Sequence, residues 1–253
     1  MTRIIGICSG KGGVGKTTFT ANLALALRNF QQRVVVVDCN LSTPHLSYYL
    51  GAMDYDTTIN DVLKGKADIM TAVPSIGGLT YIPASMNLND LENVNVMNLK
   101  KHIGKLESSF VDFVLLDSAP GLGREAMSVL DAANEIIFLT TPTVPNLKDI
   151  QRVFEVSKEF GSKKFTIVLN MVNSGRYEFR PEEVEHLVKL PIFGVIPFDR
   201  NVIDSSAIGE PIIKNRPDSI ASQHYMKVAA NLVGYDYEIR RSIFQSFFDR
   251  FRR

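Results

Sequence analysis

A glycine-rich segment of the chain has the residue types needed to hold a phosphate. Residues 10–17 read GKGGVGKT and fit the pattern GxxxxGK[ST]. Glycines allow consecutive backbone N–H groups to turn inward around a phosphate, and a helix that begins at the second lysine adds its positive end. Lys16 is expected to bridge the β- and γ-phosphates of a nucleotide, and the Thr17 hydroxyl to ligate Mg²⁺. The predicted nucleotide contacts in this loop are Gly10, Lys11, Gly12, Gly13, Val14, Gly15, Lys16, Thr17 and Thr18.

Short apolar runs alternate with helical stretches along most of the chain. Runs such as residues 34–37 (VVVV) are apolar throughout, which is typical of strands buried on both faces of a parallel sheet. This alternation predicts a single doubly wound α/β domain with a mostly parallel sheet and helices on both faces. The predicted strands are Arg3–Cys8, Arg33–Asp38, Leu79–Ile82, Phe113–Asp117, Glu135–Thr140, Lys164–Asn170 and Ile192–Ile196. The predicted helices are Lys16–Phe30, Gly123–Ala133, Asn146–Phe160, Pro181–Val188 and Pro217–Val233.

Composition limits the classes of protein to which the chain can belong. Of the 253 residues, 45% are hydrophobic and 22% are charged, which is ordinary globular composition. The formal net charge of +1 argues against a protein coated in nucleic acid. Two cysteines (Cys8 and Cys39) and four scattered histidines do not suggest a disulfide framework, a zinc finger or an iron–sulfur cluster. No apolar run is long enough to cross a membrane and no secretory leader is recognisable, so we predict a cytoplasmic protein.

Lys11 gives the phosphate-binding loop an additional lysine. Residues 11–18 read KGGVGKTT, which resembles the deviant Walker A box of the MinD/ParA/Mrp family of P-loop ATPases. In that family the early lysine reaches the nucleotide of the partner subunit. The resemblance therefore implies a homodimer that closes around two ATP molecules with Mg²⁺. From the residues alone, the alternative is a solvated loop charge.

Two strand ends resemble the switch segments of the same family. The predicted strand that ends at Asp38 and continues into residues 39–41 resembles switch I, where a strand ends in Asp-x-Asp. The strand that ends at Asp117, followed by SAPG, resembles the Walker B strand and switch II. A carboxylate at the carboxyl end of a strand is well placed to hold Mg²⁺, in the case of Asp117 through a coordinating water. The resemblance implies a metal site made by Thr17, Asp38 and Asp117.

Asn40 stands where the family usually carries the second aspartate of switch I. That carboxylate is expected to orient the attacking water, and an amide cannot accept a proton from water as a carboxylate can. Because phosphoryl transfer relies mainly on positioning and electrostatics, Asp38 can carry this task alone. We therefore predict a slow ATPase. Its predicted catalytic residues are Lys11, Lys16, Asp38 and Asn40.

Two later segments resemble the adenine-binding part of the family. Residues 168–170 (VLN) resemble the strand whose terminal asparagine hydrogen-bonds adenine, and residues 194–199 (GVIPFD) resemble the base-binding loop of the MinD branch. The resemblance implies contacts from Asn170, Pro197, Phe198 and Asp199. For Asn170 and Pro197, the alternatives are a polar residue that merely ends a strand and an ordinary loop proline. No [NT]KxD guanine motif is present, which favours ATP over GTP.

Residues 238–253 form an amphipathic pattern. At 100° per residue, five apolar side chains fall within an arc of about 140°, and five arginines against two carboxylates give a net side-chain charge of +3. This pattern predicts a helix that lies in the interface of an anionic membrane, and the MinD branch has such a C-terminal helix. A helix packed on the domain is the alternative. We predict an ATPase domain over residues 1–235 and the membrane-targeting helix over residues 236–253. The predicted membrane contacts are Arg240, Arg241, Ile243, Phe244, Phe247, Phe248, Arg250 and Phe251.

Residues and resemblance together predict an ATP-dependent, dimerising switch ATPase of the MinD type. It is expected to associate reversibly with the inner face of the cell membrane and to regulate cell division or the placement of a polar structure. A protein partner that stimulates hydrolysis or is positioned is also expected. Three alternatives remain. One is a ParA-type ATPase that partitions DNA or cargo, and another is a non-hydrolysing nucleotide-binding adaptor, which Asn40 would suit. The third is an iron–sulfur or metal-insertion ATPase of the Mrp type, which would need paired cysteines at its dimer interface, and no cysteines are paired in this sequence. The side chains of residues 238–253 sum to +3 and the whole chain to +1, so the remaining residues sum to −2. This charge disfavours DNA binding by the domain.

Overall fold

The computed structural model describes residues 2–51, 55, 57–71, 75–76, 79–108 and 111–239. Eight strands of this part of the chain form one sheet, in the order β3-β4-β2-β5-β1-β6-β7-β8. Seven strands run parallel, and the two-residue β3 pairs antiparallel with β4. The predicted doubly wound, mostly parallel α/β sheet is therefore confirmed. The strands are β1 (Arg3–Cys8), β2 (Val34–Cys39), β3 (Ser75–Ile76), β4 (Leu79–Ile82), β5 (Phe113–Ser118), β6 (Glu135–Thr140), β7 (Lys164–Val172) and β8 (Ile192–Pro197).

Helices cover both faces of the sheet. One face packs against α1, α2, α9 and α10, and the other packs against α3 to α7. Strands β2 and β5 are buried along their whole length because both of their faces are covered. The α-helices are α1 (Lys16–Asn29), α2 (Leu46–Leu50), α3 (Ile59–Leu63), α4 (Leu99–Ile103), α5 (Arg124–Ala132), α6 (Val144–Ser157), α7 (Pro181–Val188), α8 (Arg200–Ala207), α9 (Ile212–Asn215) and α10 (Ile220–Val233). Short 3₁₀ helices span Leu88–Leu91, Val96–Asn98, Gly104–Ser108 and Lys158–Phe160.

The sheet has a topological switch point at β1. This strand lies between β5 and β6, so the chain builds the sheet outward from it in both directions. In open α/β sheets, the loops that leave the carboxyl ends of the strands diverge at such a point and form a crevice for a ligand. The glycine-rich loop follows β1 at this edge. Asp38 lies near the same edge of β2, and Asp117 lies near it on β5.

Several element boundaries differ from the prediction. The last helix begins at Ile220 instead of Pro217, because the side chain of Ser219 caps it by accepting a hydrogen bond from the backbone N–H of Ser222 at 3.1 Å. Helix α6 begins at Val144 because Pro145 fits the first helical turn. Strand β7 continues to Val172, two residues beyond Asn170.

The predicted membrane contacts Arg240, Arg241, Ile243, Phe244, Phe247, Phe248, Arg250 and Phe251 lie outside the described residues. Within the part of the chain that the structure describes, no helix combines the length and the apolar character that crossing a membrane requires.

Candidate nucleotide-binding site

A cavity of about 510 Å³ opens beside the loop that joins β1 to α1. This volume is typical of small-molecule sites, and the cavity lies at the edge of the sheet where the switch point predicts a ligand. The cavity wall brings together predicted residues from both ends of the chain. They are Gly12, Gly13, Gly15, Lys16, Thr17, Thr18, Asn40, Asn170, Pro197, Phe198 and Asp199.

The conformation of the loop requires glycine at three positions. Gly13 and Gly15 have φ values of 80° and 88°, in the left-handed region that side chains disfavour. A Cβ atom on Gly15 would also lie 2.7 Å from Nδ2 of Asn170. A Cβ atom on Gly10 would lie 2.3 Å from the Cβ of Asp149 in α6. The loop is therefore fixed by its own backbone and by close packing against α6 and β7.

Lys16 begins α1 and is buried, with 7% of its surface exposed. Its Nζ donates a hydrogen bond to Oγ of Ser9 at 2.8 Å, and that hydroxyl donates in turn to the carbonyl oxygen of Lys11 at 2.7 Å. Burial lowers the pKa of Lys16, and the carboxylate of Asp117 partly opposes the shift. Lys11 is exposed on the outer side of the same loop. Thus one lysine points into the protein and the other lies at the surface.

Asp38 and Asp117 are neighbours on adjacent strands, and each is 1% exposed. Burial raises the pKa of both carboxyl groups, and their mutual repulsion raises that of Asp38 further. A hydrogen bond from Thr17 and the charge of Lys16 oppose the rise in the pKa of Asp117. Paired buried carboxylates beside a hydroxyl are hard oxygen ligands that a divalent cation would stabilise. The residues predicted to hold Mg²⁺ therefore fit it.

Asp38 also organises the switch I segment that follows β2. Its carboxylate accepts hydrogen bonds from the backbone N–H of Asn40 at 3.0 Å and of Leu46 at 3.1 Å. The side chain of Asn40 donates to the carbonyl oxygen of Thr43 at 2.7 Å and accepts from the Thr43 hydroxyl at 3.2 Å. Ser42 donates to the carboxylate of Glu125 in α5 at 2.6 Å. Asn40 therefore lines the cavity while both polar atoms of its amide hold a turn.

The residues predicted to contact the base form the opposite side of the cavity. Asn170 is buried, and its amide donates to the carbonyl oxygen of Val14 in the phosphate loop at 2.8 Å. Asp199 is the N-cap of α8 and accepts hydrogen bonds from the backbone N–H groups of Asn201 at 2.9 Å and Ala221 at 3.2 Å. Pro197 ends β8, and the ring of Phe198 is 45% exposed. Two of the four predicted side chains thus also bond to the protein itself.

Several cavity residues were missed by sequence reasoning. His45, Tyr49 and Tyr225 line the wall, and Thr43 completes the turn made by Asn40. His45 is one of the four scattered histidines, and no second ligand lies at a suitable spacing to single it out. Tyr225 reaches the site from α10, far away in sequence, so local spacing carries no signal for it. Cys8 and Cys39 are buried, which is typical of free cysteines because they behave as small apolar side chains.

Residues 1–233 match the ParA family model, which is described as an NUBPL iron-transfer P-loop NTPase. The chain belongs to the ParA family. An uncharacterised ATP-binding protein of Methanocaldococcus jannaschii is 33% identical over 239 residues, which cover 94% of this chain and 90% of that protein.

Solved structures place the chain among the MinD-like members of the family. The septum site-determining protein MinD from Pyrococcus horikoshii, complexed with Mg-ADP, has a TM-score of 0.87 and 33% identity, covering 92% of this chain and 96% of that one. The MinC:MinD cell division protein complex of Aquifex aeolicus contains a similar chain, with a TM-score of 0.85, 25% identity and coverage of 95% and 99%. The cofactors of this MinD-like protein are ATP and Mg²⁺, which the geometry of the cavity fits.

Proposed function

We propose that this MinD-like protein is a switch that dimerises when it binds ATP and associates with a membrane as a dimer. The observation that carries the proposal is the arrangement of the two lysines of the loop. Ser9 accepts a hydrogen bond from the ammonium of Lys16 and donates one to the backbone of Lys11, whose side chain stays exposed. An exposed lysine on a fixed backbone, in the loop expected to hold the phosphates, supports the contact with a partner's nucleotide that the family resemblance implies.

Each half of the cavity has a part in holding ATP. The glycine-rich loop and the start of α1 would favour phosphate, and Lys16 would supply the balancing charge. Asn170, Pro197, Phe198 and Asp199 form the wall on which the base would rest. Because Asp199 already caps α8, its contribution to the base is one of shape more than of hydrogen bonding.

Hydrolysis is proposed to be slow. Thr17, Asp38 and Asp117 would hold Mg²⁺, which when bound neutralises charge on the phosphates. Asp38 is the carboxylate left in switch I to orient water, and it is already bonded to two backbone N–H groups. The amide of Asn40 is engaged with Thr43 and has no carboxylate basicity to add.

Membrane binding is proposed to depend on how many C-terminal segments (residues 236–253, called the tail) a monomer or dimer presents. One short amphipathic helix binds a membrane marginally and reversibly, and each arginine near an anionic surface adds about 1 kcal/mol. In a dimer the insertion of the second helix is intramolecular, which can raise avidity by ~10²–10⁴ without any new contact. ATP would thus control how much protein is bound to the membrane, because it controls whether one tail or two tails are presented together. The division between an ATPase domain and a membrane-targeting segment at residues 235 and 236 belongs to the same proposal, with the correction that residues 236–239 of the predicted helix are not helical.

The biological role is proposed by analogy with the relatives. The relatives are septum site-determining and cell division proteins, which supports spatial regulation of division, and placement of a polar structure is the related alternative. The Aquifex complex with MinC supports the expectation of a protein partner. The protein would then alternate between the cytoplasm and the inner face of the cell membrane.

Sedimentation tests the dimer. We expect the wild-type protein to dimerise with ATP and Mg²⁺ but not with ADP. Lys11→Ala should still bind ATP as a monomer, since Lys16 and the loop backbone remain, yet it should not dimerise. Normal ATP-dependent dimers of Lys11→Ala would show that this lysine does not act across subunits.

Co-sedimentation tests whether the dimer binds an anionic membrane or DNA. With ATP, the protein should pellet with anionic liposomes and not with plasmid DNA. Deleting residues 239–253 should abolish liposome binding and leave the dimer intact. Phe247→Glu with Phe248→Glu should do the same, because both changes place carboxylates on the aromatic arc. ATP-dependent binding to DNA would favour the ParA-type function, and a truncated protein that loses ATP binding would show that the tail belongs to the domain.

The hydrogen bonds of Asn40 favour a second candidate, a nucleotide-binding adaptor that does not hydrolyse ATP. Its dimer would persist with ATP and dissociate only when the nucleotide leaves. A single-turnover measurement of ATP hydrolysis, with and without anionic liposomes, separates the two functions. The adaptor function requires that bound ATP is recovered intact.

A further inference from the structure

The chain leaves the domain through a short segment, residues 234–239, that is not helical but is packed. The segment begins where Gly234, with a φ of 77°, ends α10. The backbone N–H of Tyr235 donates to the carbonyl oxygen of Ala230 at 2.9 Å. These contacts turn the chain away from α10 and onto the end of α1.

Three aromatic rings hold this segment. The ring of Tyr235 stacks on the ring of Phe30, with 5.7 Å between centroids and 19° between planes. The ring of Tyr237 meets Phe30 edge-on, at 6.4 Å and 84°. Both geometries are favoured for aromatic pairs. We name these three residues, Phe30, Tyr235 and Tyr237, the aromatic clamp. Tyr235 remains 59% exposed, so the clamp adds little to the hydrophobic core.

The aromatic clamp lies at the far end of the helix that begins at the phosphate-binding loop. Helix α1 starts with Lys16 and is 14 residues long, or about 21 Å at 1.5 Å per residue. Phe30 follows its last residue. The side chain of Arg3, at the amino end of β1, also donates a hydrogen bond to the carbonyl oxygen of Leu232. The carboxyl end of α10, from which residues 234–239 depart, is therefore tied to the amino edge of the sheet, opposite the nucleotide cavity.

We propose that the aromatic clamp holds residues 235–239 against the end of α1, so that the point from which the chain continues past residue 239 is fixed on the domain. This inference rests on the proposed function, since its consequence concerns membrane binding by a dimer. In a dimer, two tails that each start from a fixed point keep the spacing and orientation that the dimer gives to those points. Tails on six-residue flexible linkers would have to be ordered again when both insert, and that ordering costs affinity. The clamp residues are thus positioning residues for membrane attachment.

A probe at residue 238, in the segment that the clamp holds, tests the clamp directly. Cys8 and Cys39 are buried, so a fluorophore can be attached selectively in a Glu238→Cys variant, where the native side chain is exposed. Time-resolved anisotropy without lipid should show a restricted probe in the otherwise wild-type chain and fast local motion in Tyr235→Ala or Phe30→Ala. Tyr235→Phe is the matched control, because it keeps the ring and should keep the restriction. Equal local motion in all four proteins would overturn the proposal.

Liposome binding tests the consequence in the unlabelled full chain. In Tyr235→Ala we expect the ATP dimer to bind anionic liposomes about three- to tenfold more weakly than the wild-type dimer, with no change in ATP-dependent dimerisation. Tyr235→Phe should bind like the wild type. An unchanged affinity in Tyr235→Ala would show that the clamp does not position the tails. If the wild-type protein does not bind liposomes, the proposed function fails. The anisotropy result still decides whether the clamp fixes residues 235–239 on the domain.

Discussion

The phosphate half and the base half of the nucleotide cavity are built in different ways. In the phosphate half, backbone conformation decides which residue stands at each position, as the left-handed Gly13 and Gly15 show. In the base half, Asn170 and Asp199 are polar side chains that also bond to the protein. A position dictated by backbone geometry tolerates one residue type. A polar side chain on a wall can serve the ligand, the fold or both.

The difference predicts how the two halves respond to mutation. Changes in the phosphate half should act mainly on nucleotide binding or on the loop that makes it. Changes in the base half should act first on stability, through the hydrogen bonds that these side chains make within the domain. The following predictions run from the largest expected effect to the smallest.

Lys16→Ala removes the charge that is proposed to balance the phosphates. Hydrogen bonds to charged groups contribute about 1.5–3 kcal/mol, so we expect MgATP affinity to fall on the order of a hundredfold. Isothermal titration calorimetry measures the loss, and the melting temperature without nucleotide is the control for folding. Ser9→Ala should have a smaller effect, because it keeps the ammonium and removes only the hydroxyl that links Lys16 to the backbone of Lys11. Normal MgATP affinity in Lys16→Ala would show that the phosphates do not bind beside Lys16.

Gly10→Ala tests whether α6 supports the loop from behind. The new Cβ would lie 2.3 Å from the Cβ of Asp149 and 2.8 Å from its backbone carbonyl carbon, so the loop or α6 must move. Overpacking of this kind typically costs about 1–3 kcal/mol, and we expect a lower melting temperature together with weaker ATP binding. Gly12→Ala is the matched control for stability without nucleotide, because no atom lies within 4 Å of its Cβ position. Equal melting temperatures would contradict the close packing.

The same distinction explains what the sequence could predict. The fold and the phosphate loop follow from patterns that local physics imposes: apolar strands, a glycine-rich turn and the start of a helix. The bonds of Asn170 to Val14, and of Asp199 to Ala221, join residues that are far apart or lie in different helices. The contact of Phe30 with Tyr235 is also of this kind. Such pairings depend on tertiary packing, which spacing along one chain does not encode.

Asn40→Asp sharpens the comparison, because Asn40 lines the cavity and holds a turn at once. A carboxylate there can accept a proton from water, and we expect steady-state ATP turnover to rise several-fold, below the ~10²–10⁴ that a well-placed base can contribute. The gain is limited because the carboxylate loses the hydrogen bond to the Thr43 carbonyl oxygen. Asn40→Ala loses the same bond without gaining a base, so it is the control. Phosphate release measures the turnover. Unchanged turnover in Asn40→Asp would mean that Asp38 or a partner protein already supplies the function.

Asp199→Ala should separate stability from recognition in the base half. The carboxylate caps α8 through the N–H of Asn201 and also accepts from the N–H of Ala221, at the start of α10. Loss of an N-cap costs about 1 kcal/mol, which in a domain of this size lowers the melting temperature by about 2–4 °C.

We expect ATP affinity to change less than about threefold, because the wall keeps the shape given by Pro197 and Phe198 and no hydrogen bond to the base is lost. Asp199→Asn is the matched control, since asparagine is also a good N-cap and should restore the melting temperature. A tenfold loss of ATP affinity in both variants, at an unchanged melting temperature, would show instead that the carboxylate reads the base. The two halves of the cavity would then work alike, through side chains held ready for the ligand.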